Sequence, residues 1–162
     1  AWNEACSDAY TIAAGKTLHL NFTNHSSKAN NFNNWVLVVS NNANRDADNY
    51  IEHFVIRADN YGWFPNLGGN TNDNTANVSF TLESDYNWST FKTDMDGAMV
   101  NIHVTRDASN RVVVIAQTTS ASTGTVYTQR FIVNNIGSGA IRAFLVTDAS
   151  WYEINKTTTK VE

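Results

Sequence analysis

The sequence predicts an all-β fold, a two-sheet antiparallel β-sandwich (jelly roll) with one short helix. Three observations carry this. Apolar and polar residues alternate with period two along most of the chain, as in strands with one face on a core and one in water. Several short runs are apolar on both faces, as central strands of a sandwich are. Turn residues recur between these runs, and one stretch alone has helical spacing. A length of 162 residues suffices for one such domain with a full core and falls short of two ordinary ones.

After the turn Ala14-Gly15-Lys16, the segment Thr17–Thr23 sets Leu18, Leu20 and Phe22 on one face. Trp35–Val39 is apolar on both faces, and a further strand is expected over Tyr50–Asp59. Val78, Phe80 and Leu82 alternate again. In Asn87–Asp96, Trp88, Phe91 and Met95 share one face of a short helix, which places Trp88 in the core. Val100, Ile102 and Val104 follow, then the hairpin loop Asp107–Asn110 and the strand Arg111–Ala116. Short connections at Ala121–Gly124 and Asn134–Gly139 lead to strands at Arg130–Val133, Ala140–Thr147 and Trp151–Asn155. The total is about nine or ten strands in one module, residues 1–155. Residues 156–162 have the composition of a linker-like tail. Three long polar loops, Asn24–Asn34, Asn41–Asn49 and Gly62–Asn77, are candidates for function.

Composition excludes several classes. Charged residues are 16% of the chain and the net charge is −4, with no Lys/Arg cluster, so neither a nucleic acid nor a membrane surface is an expected partner. No apolar run is long enough to span a bilayer, and no signal peptide is visible at Ala1. The single cysteine, Cys6, reads as a small, partly buried residue. Roughly one residue in seven is Asn. Amides donate and accept, and aromatic faces cover sugar C–H surfaces, so this composition suits neutral hydroxyls.

The segment Arg57–Phe64 leaves a strand and carries Tyr61 and Trp63 into a loop beside Arg57, Asp59 and Asn60. Exposed aromatics need a core to cover or a ligand to meet, so Tyr61 and Trp63 are stacking candidates, and Arg57 and Asn60 hydrogen-bonding ones. Alternatively the loop plugs one end of the sandwich. Trp35 is either a second platform residue or a core Trp. Trp151 and Tyr152 alternate, so one faces out. Outward strand positions add His19, Asn21, Asn101 and His103, with Gln117, Tyr127 and Gln129 on the C-terminal meander.

These segments resemble a known family. Asn34-Trp35-Val36-Leu37-Val38-Val39, Val55 through Trp63, Trp88-Ser89-Thr90-Phe91, Asp96-Gly97-Ala98 with Val100, and Val126-Tyr127-Thr128 look like β-sandwich carbohydrate-binding modules of bacterial plant-cell-wall glucanases. These include the xyloglucan- and β-glucan-binding modules of family 65 and their relatives. The resemblance runs over about Tyr10 to Ile154. It implies a jelly roll that binds a β-glucan, with Trp63 and Tyr61 stacking and Gln117 donating to a hydroxyl. It also implies tethering to a catalytic domain, a monomer, and an extracellular or cell-surface bacterial setting. One departure is that Gln117-Thr118-Thr119 carries no Trp where such modules often place one.

Catalysis finds less support. No two glutamates share a strand at spacing two, and no nucleophile elbow or His-Glu-x-x-His is present. A jelly-roll lyase or small glycosidase using His19, His103 or Arg142 remains an alternative, as does a structural or adhesive sandwich domain. No cofactor is expected. Asp46 and Asp48, or Asn72 and Asp73, supply oxygen ligands for a structural calcium.

Overall fold

A computed structural model describes residues 2–64, 69–70, 78–83 and 85–162, with the backbone alone for 2–4 and 69–70. In chain order the elements are β1 (Trp2–Cys6), β2 (Tyr10–Ile12), β3 (Thr17–Ser26), β4 (Val36–Ser40), β5 (Glu52–Arg57), β6 (Gly62–Phe64), β7 (Gly69–Asn70), β8 (Val78–Leu82), α1 (Phe91–Met95), β9 (Ala98–Arg106), β10 (Val112–Thr119), β11 (Val126–Val133), β12 (Ile141–Asp148), β13 (Ser150–Ile154) and β14 (Lys160–Val161). They form the expected two-sheet antiparallel β-sandwich with one short helix. The first sheet has the order β1-β12-β4-β5-β6-β7, with β2 also on β12. The second has the order β13-β3-β9-β10-β11-β8, with β14 also on β3.

Alternation explains the second sheet. In β3 and β9, Leu18, Leu20, Phe22, Val100, Ile102 and Val104 point into the core, and the residues between them point out. The inner face of the first sheet supplies Trp35, Leu37, Val39, Phe54, Ile56 and Leu145. Its β4 is buried on both faces. Outside, Val36, Val38, Val55, Phe144 and Val146 form a second apolar cluster against which Ala9 and Trp63 pack. The 41–50 loop lies on this side. Arg45 Nη1 is 3.4 Å from Cys6 Sγ on β1, two strands away from β4, and Tyr50 donates to Glu52 Oε2 at 2.9 Å.

Five details differ from expectation. Trp63 sits on a strand, β6, opposite Val55, where the sequence predicts a loop. The helix is one turn, because Thr90 makes no side-chain cap and residues 88–90 form a turn. Trp88 is 51% exposed, since one helical turn cannot carry it round to the core face, and it lies against Tyr86 and Phe91. Cys6 is exposed at the sheet edge. The tail folds back: β14 pairs with β3, and Thr159 Oγ1 accepts from the Asn21 amide nitrogen at 3.1 Å. Pro65 and most of the Gly62–Asn77 loop lie outside the described residues.

Candidate functional site

The residues expected to bind a ligand fall in three places. Three of them are interior, and the reading of each as a ligand contact is corrected. Trp35 is wholly buried, with Nε1 donating to Thr118 Oγ1 at 3.3 Å, because it immediately precedes a strand buried on both faces. Tyr127 is buried and donates to Asp94 Oδ2 at 3.1 Å. It shares an inward face with Gln129, Phe131 and Val133. Asn60 is buried at a positive φ of 68°, which Asn tolerates in a tight turn, and its Oδ1 accepts from Gln129 Nε2 at 2.8 Å.

A second group lies on the first sheet. Arg57 is held by Asp59 at 3.1 Å, with its guanidinium 4.5 Å from the Tyr61 ring and 5.6 Å from the Phe32 ring. Tyr61 is 45% exposed. Burial pushes the Asp59 carboxyl above its usual range, against the lowering effect of Arg57. Trp63 is half-buried on the outer apolar cluster, and its Nε1 donates to Glu52 Oε1 at 3.1 Å. Its ring is largely used in packing, so it offers little free platform.

The third group, with Trp151 and Gln117, is on the outer face of the second sheet, where strand register lines up side chains in rows. One row is Asn21, Asn101, Gln117 and Thr128, opposite one another on β3, β9, β10 and β11. It spans about 14 Å at ordinary strand spacing. On one side runs Thr23, Met99, Thr119 and Val126, with Glu153 beyond Thr23. On the other run His19, His103, Ile115 and Arg130. Trp151 is 55% exposed, and its ring is stacked on His25 at 3.8 Å and 11°.

Charge on this face is limited and mostly paired. Arg130 meets Glu83 at 3.1 Å, and Glu162 meets His19 at 3.2 Å and Lys160 at 3.1 Å. His19 and His103 meet edge to face at 4.5 Å. Burial and the neighbouring His19 both hold His103 below the usual imidazole value. Around Asn21, Asn101, Met99 and Glu153 the face dips into a recess of about 90 Å³. Sequence reasoning placed Asn21, Asn101, His19 and His103 outward correctly. It missed Met99, Glu153 and His25, although Met99 shares the parity of Asn101 on β9 and Glu153 that of Trp151 on β13.

Among the described residues no group of three or more His, Cys, Asp or Glu side chains converges on a metal position. Asn72 and Asp73 lie outside the described residues. No described helix is long and apolar enough to cross a membrane.

No protein-family model matches the chain. No curated protein matches it either. Among solved structures it is similar to scytalido-glutamic peptidase, in crystal structures with a peptide-based transition-state analogue and with a transition-state analogue inhibitor. Each is 15% identical with a TM-score of 0.35, covering 99% of this chain and 70% of the other. At that score the likeness carries no argument about activity.

Proposed function

We propose that the outer face of the second sheet binds an extended, neutral polysaccharide of β-glucan type, such as xyloglucan or a mixed-linkage β-glucan, without catalysis. The observation that carries this reading is the row Asn21–Asn101–Gln117–Thr128, with the exposed Trp151–His25 stack on the same face, beyond the Thr23–Met99 row. Such a row offers amide and hydroxyl groups at strand spacing, comparable to the spacing of sugar rings along a β-linked chain. The Trp151 ring face turned away from His25 supplies a surface for sugar C–H groups two rows from the Asn21 row. In this reading the chain works as a secreted, bacterial, monomeric binding module. It keeps a tethered catalytic domain of a larger glycoside hydrolase on its substrate by raising local concentration. Affinity falls at roughly micromolar to millimolar, because sugar hydroxyls exchange water bonds for similar ones.

The test is affinity gel electrophoresis against xyloglucan, mixed-linkage β-glucan, laminarin, xylan, mannan, pectin and alginate. One or two neutral β-glucans should retard the chain without losing viscosity. Trp151→Ala should weaken retardation by about ten-fold while leaving the thermal midpoint nearly unchanged, since the side chain is mostly exposed. Retardation by none of them, or a Trp151→Ala variant that binds like the parent, refutes the proposal. A fall in viscosity would identify an enzyme instead.

A further inference from the structure

We propose that the recess on this face holds an acetyl substituent, so that the preferred polysaccharide is an acetylated one. The inference rests on the polysaccharide reading above and changes its ligand class, from plain β-glucans to β-linked chains that carry acetyl groups. The recess lies where β13, β3 and β9 run side by side. Asn21, Thr23, Met99, Asn101, Glu153 and Asn155 ring it. Phe22 and Val100 also line it, but both side chains are buried in the core, so they contribute backbone to its floor.

Size comes first. A volume of about 90 Å³ takes about three waters, or one acetyl group with its linking atom. A bare sugar hydroxyl would leave most of it to solvent.

The walls then select the group. Met99 is 63% exposed and gives a polarisable apolar wall next to the Thr23 position. That wall suits a methyl group. Two residues further along β9 on the same face stands Asn101, exposed, with its side-chain amide making no hydrogen bond to any described residue. Its Nδ2 is free to donate to an acetyl carbonyl. Glu153 supplies an acceptor for an N–H, where the acetyl is carried on nitrogen. Its Oε2 lies 3.4 Å from His25 Nε2, and the side chain stays mostly exposed.

The remaining two amides are fixed. Asn21 Nδ2 donates to Thr158 Oγ1 at 3.0 Å, and Asn155 Oδ1 accepts from the Thr157 and Thr158 amides at 3.0 and 3.2 Å. The turn at 156–158 therefore sets one wall of the recess in advance, and preorganisation of this kind favours a defined occupant. The same carboxylate at the rim disfavours uronic-acid polymers.

The test is titration calorimetry with oligosaccharides of equal length in matched pairs. One pair is N-acetylated chito-oligosaccharide and cello-oligosaccharide, with the de-N-acetylated chain as a third ligand. The other is O-acetylated and deacetylated xylo-oligosaccharide, which separates acetyl on oxygen from acetyl on nitrogen. The acetylated member of at least one pair should bind about ten-fold more tightly. In Met99→Glu that margin should shrink to within about two-fold, with the thermal midpoint confirming the fold. Equal affinity within both pairs overturns the acetyl inference and leaves the polysaccharide reading standing. Tightest binding by the de-N-acetylated, cationic chain overturns it too, since Glu153 alone would then govern. Binding by no oligosaccharide overturns both.

Discussion

Asp94 shows how one residue organises an end of the sandwich. It is 2% exposed and makes no ion pair among the described residues. Thr90, Ser120, Ser122 and Tyr127 hydroxyls donate to its two oxygens at 2.8 to 3.2 Å. Burial pushes its carboxyl upward, but these donors outweigh that and hold it below the ordinary aspartate value. The carboxylate thereby ties α1 to the β10–β11 hairpin, which explains why the Tyr127 hydroxyl is directed inward. Asp94→Ala would leave the buried Tyr127 and Ser120 hydroxyls without an acceptor. A loss of about 2–4 kcal/mol in urea unfolding is expected. A loss under about 1 kcal/mol would mean that water replaces the carboxylate and that the cage contributes little.

At the scale of elements, what was legible in the sequence depended on how strictly each strand alternates. β3 and β9 alternate without exception over most of their length, so His19, Asn21, Asn101 and His103 read as outward, and they are. Trp35 had no such guide, because Val36–Val39 is apolar at every position and period two then names no inner face. Parity was present in β11, where Tyr127 and Gln129 fall in step with Phe131 and Val133, but the polarity of Gln129 pointed the other way. Its interior place depends on Asn60, reached across the gap between the sheets. A residue whose environment comes from a distant segment leaves no local trace. The recess belongs to this class, since its walls come from β3, β9 and β13 and from register that no single segment encodes.

For the molecule as a whole, the charges buried on folding set a direction of pH dependence. His53 is held below the usual imidazole value, first by burial and then by the buried Arg106 guanidinium. His103 is lowered as well, by burial and then by His19. A group depressed on folding takes up fewer protons in the native state than in the unfolded one, so its stability contribution is complete above the unfolded value of 6.5 and is lost as pH falls through the folded value. Asp94 and Asp96 are depressed by their hydrogen-bond donors despite burial, and act in the same sense at lower pH, below 3.8. Asp59, raised by burial, opposes them. The thermal midpoint should therefore fall in two stages, the first between about pH 7 and about pH 5. His53→Gln should reduce that first stage, and a flat profile over the interval would contradict the histidine part.

The pairing of β1 with β12 and of β14 with β3 also bears on how the chain reaches this state. Trp2 lies opposite Asp148, and Val161 opposite Leu18, so each sheet joins segments from near the two ends of the described chain. Contacts this remote close large loops before they return any stabilisation, which places the barrier late and makes refolding slow, in the millisecond-to-second range. Stopped-flow fluorescence of the five tryptophans, of which Trp35 is wholly buried, should show a phase on that scale. A submillisecond phase carrying the full amplitude would mean that the core closes before its outermost strands are in register.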